Sequence, residues 1–319
     1  MRTAEFVSPK HADKLCDIIS DTILDEYLKE DPYTQTNIQT SGGWGKVLIT
    51  GEIASDYRIS DVQINEIVKE ISGVNDVSIN LKYNSAKTNI ISNSGIILGY
   101  ATTEIESRIP FEYHHARELN RYIYNHFPTD GKTQVTINGE SVVVVASFQN
   151  STAGELDELV KEYFKNSGFW IGKSYCNPIG DWKTGGLVDG FGSSGKQIGS
   201  DNYGPRIPLG GDSYSGKDAT KIDRCGGYMA RRIAIDSIRE YGLKYALVEL
   251  SYTSGDNQPI QARIKGNDKG INIETGIKLY EVKGYDLTPN GIIDFLDLRK
   301  PIYAETAKWG HMGNKFNWM

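Results

Sequence analysis

Asn138-Gly139 falls between Val135-Thr136-Ile137 and the run Val142 to Val145, two stretches rich in β-branched residues. Asn-Gly suits the tight turn that joins two antiparallel strands, because its central residues take positive φ at little cost. A hairpin at this point argues against a sheet wound wholly from βαβ units. Residues 46–53, 77–83, 96–101 and 245–252 also read as strands. Helical patterns lie between them. Ser8-Pro9 starts a helix with Ser8 as N-cap and Pro9 at the first position, ahead of Leu15, Ile19, Ile23 and Tyr27. Ser60-Asp61-Val62-Gln63 is a capping box before Ile64, Ile67, Val68 and Ile71, and Gly73 closes that helix. Helices are also expected over 111–124, over Leu156 to Phe164, over 226–240, and from Thr288-Pro289 to 298. Strand pairs and helices recur about three times without a readable repeat. The expected fold class is therefore α+β, with mixed or antiparallel sheets that carry helices on one face.

Charge and composition narrow the function classes. The 319 residues hold 35 basic and 41 acidic side chains, a formal net charge of −6. That balance argues against nucleic-acid and membrane partners. No apolar run reaches the roughly 18 residues of a membrane span, and the N-terminus lacks the layout of a signal peptide. Cys16, Cys176 and Cys225 are odd in number and far apart, which argues against a disulfide framework or structural zinc. A cytoplasmic protein is expected.

Residues 177–217 are rich in Gly, Ser and Asp and too long for an idle connection. Gly190-Phe191-Gly192-Ser193-Ser194-Gly195 matches a dinucleotide fingerprint, but no apolar strand precedes it. Gly211 to Lys217 matches most of a P-loop, but Asp218 stands where a magnesium-binding hydroxyl belongs. The charges are more informative. Lys217, Lys221 and Arg224 alternate with Asp218 and Asp223, which suits a polyphosphate and its metal ions as well as a solvated charge run. Lys10, His11, Asp13 and Lys14 form a second cluster where a helix N-terminus favours an anion. His114-His115 are adjacent, point to different sides of a helix and read as structural.

Glu5-Phe6-Val7-Ser8-Pro9-Lys10-His11-Ala12-Asp13-Lys14 resembles the E-x-V-S-E-G-H-P-D-K opening of S-adenosylmethionine synthetases. Gly51-Glu52-Ile53, Gly99-Tyr100-Ala101-Thr102, Asp130-Gly131-Lys132 and Asn177 to Trp182 follow in the family's order. Residues 210–224 resemble its G-G-x-F-S-G-K-D-x-x-K-V-D-R loop, and residues 301–313 resemble its P-I-Y-x-E-T-A-x-Y-G-H-F-G tail. The resemblance implies synthesis of S-adenosylmethionine from ATP and L-methionine, with the triphosphate expelled and hydrolysed to pyrophosphate and phosphate. By that likeness His11, Lys132, Lys217 and Lys221 are catalytic. Asp130, Trp182, Lys196 and Arg224 join them in binding ATP and its phosphates. Glu52, Asp189 and Lys221 hold methionine, and Asp13 and Asp223 hold two Mg2+ per site. The implied architecture is three similar domains, 1–88, 89–174 and 175–319, about a pseudo-threefold axis. The implied partner is a second copy of the chain, as a homodimer or dimer of dimers with active sites at the subunit interface.

The chain departs from the family pattern at several places. Gln39 replaces the potassium-binding Glu, which bears on activation by K+, and Asn93 replaces an Asp. Lys196-Gln197 replaces an Arg-Lys pair, one cation fewer. Gly190 aligns with the methionine-binding Asp, with Asp189 beside it as the substitute, and Ser254 replaces an Ile near the methionine side chain. The gate over residues 84–94 is short. These departures leave two alternatives: an adenosyltransferase or triphosphatase with an altered acceptor, and an inactive homologue that acts as a binding partner.

Overall fold

The computed structural model describes residues 1–85, 87, 94–165, 167–313 and 315–319. Asn93 and most of the expected gate lie outside them. The strands are β1 (Arg2–Val7), β2 (Gln35–Gly43), β3 (Lys46–Ala54), β4 (Asp76–Tyr83), β5 (Gly95–Thr102), β6 (Gly131–Asn138), β7 (Ser141–Phe148), β8 (Trp170–Cys176), β9 (Phe191–Ser193), β10 (Tyr245–Tyr252), β11 (Gln261–Asn267) and β12 (Lys278–Glu281). The helices are α1 (Ala12–Glu30), α2 (Asp61–Ser72), α3 (Phe111–His126), α4 (Ala153–Phe164), α5 (Gly186–Asp189), α6 (Ile198–Asn202), α7 (Ile222–Tyr241), α8 (Pro289–Leu296) and α9 (Tyr303–Lys308).

These elements build three four-stranded sheets, ordered β9-β2-β3-β4, β1-β6-β7-β8 and β5-β10-β11-β12. Each centres on a hairpin that follows a long helix: α1 before β2–β3, α3 before β6–β7, α7 before β10–β11. In the first two sheets a crossover helix, α2 or α4, then brings in a parallel strand. The third sheet adds β12 antiparallel instead. The α+β class is observed, with parallel pairs beside the hairpins.

The fourth strand of each sheet comes from elsewhere in the chain. The strand that leads into α1, β1, pairs with β6. The strand before α3, β5, pairs with β10, and β9, which lies before α7, pairs with β2. The exchange is cyclic, so every sheet takes one strand across the expected 1–88, 89–174 and 175–319 boundaries. One buried apolar cluster underlies the second and third sheets. Another, built from Ile23, Ile38, Val47, Ile49, Ile64 and their neighbours, lies between the first sheet and α1 and α2.

Two local details differ from the expected ones. The hairpin loop is Gly139-Glu140, with Asn138 paired to Ser141, so the turn sits one residue later and uses Gly139 at φ +60°. The α1 N-cap is His11, not Ser8. Ser8 is engaged instead at the end of β1, where its N–H and hydroxyl donate to Gly131 and Thr129 carbonyls. The Ser60 capping box and the left-handed Gly73 close α2 as expected.

Candidate active site

α1 organises the site. Asp13, Asp17, Asp21 and Asp25 recur at every fourth position, so they share one helix face, and all four are buried. Each accepts main-chain N–H groups from a different segment. Asp13 takes Ser193 at 3.1 Å, Asp17 takes Gly195 at 2.7 Å, and Asp21 takes Gly216 at 2.8 Å. Asp25 takes Tyr303 at 3.0 Å and Ala304 at 2.8 Å. This stripe strings the 191–202 segment, the 210–221 loop and the C-terminal tail along one helix. Buried carboxylates require such partners. Two buried cations offset part of the charge: Lys14 Nζ lies 2.7 Å from Asp201 of α6, and Arg224 grips Asp21 through two bonds of 2.7 Å. Burial pushes Asp17 up to about 8, against the pull of Lys14. Burial also pushes Asp25 up to about 7, against the amides of Ala304 and Tyr303.

The first charge cluster lies at the N-terminal end of α1. His11 Nδ1 accepts the Asp13 N–H at 3.3 Å. Asp13 also accepts Gln197 Nε2 at 2.7 Å, and Lys196 Nζ lies 3.7 Å from its other oxygen. Gly192 passes so close to α1 that a Cβ there would sit 2.3 Å from the Ala12 main chain. The glycines of residues 190–195 thus serve this approach: β9 leads only to the short α6, with no dinucleotide-binding helix after it. Asp130 accepts the Gly186 N–H at 2.8 Å, and burial raises its pKa while His11 lowers it. Trp182 stands beside it, both flanking Gly185. On β6, Lys132 pairs with Glu5 at 2.7 Å and remains 47% exposed.

The second cluster is the 210–224 loop. Gly216 crosses the first sheet at φ +81°, where a Cβ would lie 2.0 Å from Ile38 O, so only glycine fits. The Lys217 side chain is 3% exposed, and its Nζ lies between Asp223 at 2.9 Å and Asp212 at 3.1 Å. Lys221 donates to Asp218 at 3.2 Å, and Asp218 in turn accepts the Thr36 and Thr220 N–H groups. A cavity of about 380 Å³ opens here, lined by Asn37, Gln39, Glu52, Lys82, Asp212 and Lys217. Among the described residues no donor meets the buried Asn37 Oδ1, and Gln39 Oε1 accepts the Ser194 hydroxyl. Among the described residues, no three His, Cys, Asp or Glu side chains converge as a metal cage.

Residues 1–95 match the family model for the S-adenosylmethionine synthetase N-terminal domain, and residues 184–319 match that for the C-terminal domain. An S-adenosylmethionine synthase of Brachyspira hyodysenteriae is 30% identical, with 99% of this chain aligned to 94% of that protein. The chain belongs to the S-adenosylmethionine synthetase family. One from Parvibaculum lavamentivorans is 31% identical over 98% of this chain and 92% of its own length. The structure described as an unusual S-adenosylmethionine synthetase from Campylobacter jejuni superposes with a TM-score of 0.88. It is 27% identical and covers 99% of this chain and 96% of that one.

Placed on the structure, the expected site residues of this synthetase family member fall into two groups. His11, Asp13, Asp130, Lys132, Trp182 and Lys196 surround the start of α1, while Glu52, Lys217, Lys221 and Asp223 surround the loop. Asp189 ends α5, with its carboxylate on the Thr184 hydroxyl, and does not line the Glu52 cavity. Arg224 requires a correction. It is fully buried, and its five N–H donors meet both Asp21 oxygens, Lys217 O, the Tyr228 hydroxyl and Thr306 Oγ1. It anchors the loop and has no donor left for a phosphate.

Sequence reasoning missed Asp17, Asp21, Asp25 and Asp201. For the first three, the i, i+4 recurrence of Asp along a helix rich in Leu and Ile was the available signal. It also left the tail without a role. Trp318 stacks on Tyr228 at 3.8 Å and donates to His311 O, while His311 Nδ1 meets the Tyr228 hydroxyl at 3.2 Å. Burial holds His311 well below its usual pKa, so it stays neutral behind Tyr214 of the loop. Among the described residues no helix is long and apolar enough to cross a membrane.

Proposed function

We propose that this chain makes S-adenosylmethionine from ATP and L-methionine and hydrolyses the triphosphate to pyrophosphate and phosphate. The observation that carries the proposal is the buried Lys217 on a glycine-shaped loop, set between carboxylates and facing the same cavity as Glu52. A polyanionic leaving group needs fixed cations in a site that excludes water, and a zwitterionic amino acid needs a carboxylate nearby.

His11 has the tautomer this role requires. Its Nδ1 accepts a main-chain N–H, so a neutral ring carries its proton on Nε2 and presents a donor to the leaving oxygen. Lys132 and Lys196 are exposed enough to move onto phosphate oxygens, and Trp182 offers an aromatic face for adenine beside Asp130. The donor set also fits magnesium. A carboxylate offers about four lone-pair positions, and Asp13 and Asp223 each keep some after their hydrogen bonds. Mg2+ is commonly held by one or two carboxylates together with substrate phosphates. When bound it supplies charge neutralisation on the triphosphate. Gln39 is neutral and hydrogen-bonded, which supports turnover that does not depend on K+.

The two clusters lie at positions 13 and 21 of α1, about 12 Å apart along the helix. That separation supports two half-sites, each completed by the other half-site of a second copy in a homodimer or dimer of dimers. The cyclic exchange of strands supports the pseudo-threefold arrangement. The test is incubation with ATP, methionine and magnesium, with and without potassium, with S-adenosylmethionine and phosphate followed separately. S-adenosylmethionine is expected in both. Phosphate without it would indicate another acceptor, and no turnover would favour a binding role.

A further inference from the structure

Lys217 has one carboxylate more than its charge needs. Asp223 is buried with it, its other oxygen fixed by the Asp212 N–H at 3.2 Å. Asp212 differs. Its side chain is 77% exposed, lines the 380 Å³ cavity, and reaches back 3.1 Å to the buried ammonium. Among the described residues its only other polar partner is the neighbouring Ser213 N–H, at 2.7 Å. One ammonium between two carboxylates leaves a local charge of about −1, so a bare anion entering the cavity meets repulsion before attraction. A group that is four-fifths in solvent and held by one cation can swing outward, whereas the buried Asp223 cannot.

Resting on the proposed polyphosphate chemistry, we infer that Asp212 is a removable counter-ion of Lys217. It yields its place to a phosphate oxygen and so makes the loop select magnesium-bearing polyphosphates over metal-free anions. A polyphosphate that brings its own cations neutralises Asp223 and the released Asp212 as it takes Lys217. Free phosphate brings no such compensation. Asp212 is thus a specificity residue for the leaving-group subsite, acting through Lys217.

The experiment measures binding of diimidotriphosphate, a non-hydrolysable analogue of tripolyphosphate, to the full-length protein by calorimetry, with and without magnesium, for wild type and Asp212→Asn. The substitution keeps the size of an exposed side chain, so the fold is retained. Wild type should bind well only with magnesium. D212N should bind the metal-free anion about tenfold more tightly, a change typical of removing one like charge from a binding site. In the Lys217→Ala background the gain should vanish, because the group being competed for is gone. Unchanged metal-free binding in D212N would overturn the inference. Weaker magnesium-dependent binding would also overturn it and make Asp212 a metal ligand. These readouts use no turnover, so failure of the synthetase reading shows separately as absence of S-adenosylmethionine from wild type.

Discussion

The two charge clusters on α1 differ in how completely they are neutralised before any ligand arrives. At the N-terminal end, Lys132 and Lys196 are 47% and 56% exposed and each leans on a single carboxylate. In the loop, Lys217 is buried between two carboxylates, and Arg224 has every donor engaged. Exposed cations are loosely held and can follow a substrate. Buried ones need counter-ions merely to exist, and those counter-ions then set the geometry. One cluster is adaptable and the other is preset, and α1 joins them through a row of aspartates.

The contrast can be broken most forcefully at Asp21. Asp21→Ala leaves the buried Arg224 guanidinium without its partner and should remove about 3–5 kcal/mol of stability, read by chemical denaturation. A loss under 1 kcal/mol would show that the loop is not anchored there. Next comes His11. His11→Ala should lower kcat about 10²–10³-fold while circular dichroism stays native, since the N-cap bond alone is worth only about 1 kcal/mol. Unchanged kcat would remove His11 from the chemistry.

Asp25 sharpens the preset side through pH. Its folded pKa, about 7, lies above that of an unfolded carboxylate. The folded state therefore binds the extra proton, and this contribution is greatest in acid and is lost as pH rises through about 7. Relative to Asp25→Asn, wild type should lose stability between about pH 4 and about pH 7 in urea melts. Parallel curves would refute a buried, proton-holding Asp25. The smallest effect belongs to the adaptable side. Lys196→Ala should raise KM for ATP by no more than about tenfold, as expected for a half-exposed charge, with little change in stability. A large stability loss would erase the distinction between the clusters.

Much of this was legible in the sequence, and the illegible part has a physical cause. The Ser60 capping box and the Leu156–Phe164 stripe signal their helices through neighbours in sequence, and both helices form as expected. β1, β2, β8, β9, β11 and β12 went unread: their polar and glycine-rich stretches carry little apolar alternation, and what makes them strands is the pairing to their neighbours in the sheet. For the site, residue types pointed to His11, Asp13, Lys217, Lys221 and Asp223, which the fold gathers into the two charged clusters on α1. Arg224 was misjudged because its partner, Asp21, lies 203 positions away. Nothing local separates an arginine that meets a ligand from one that holds a wall.

The cyclic exchange of edge strands has a consequence for how the chain comes off the ribosome. The hairpin β2–β3 and the parallel β4 are complete once residue 83 has emerged, yet β9, which covers the free edge of β2, begins only at residue 191. For more than a hundred residues of synthesis that edge is exposed beside a half-built core, a template for pairing with another nascent chain. No contiguous third of the polypeptide can close its own sheet, so splitting the gene at the apparent helix–hairpin repeats should yield insoluble pieces. The three units are partners in folding before they can act as a catalyst.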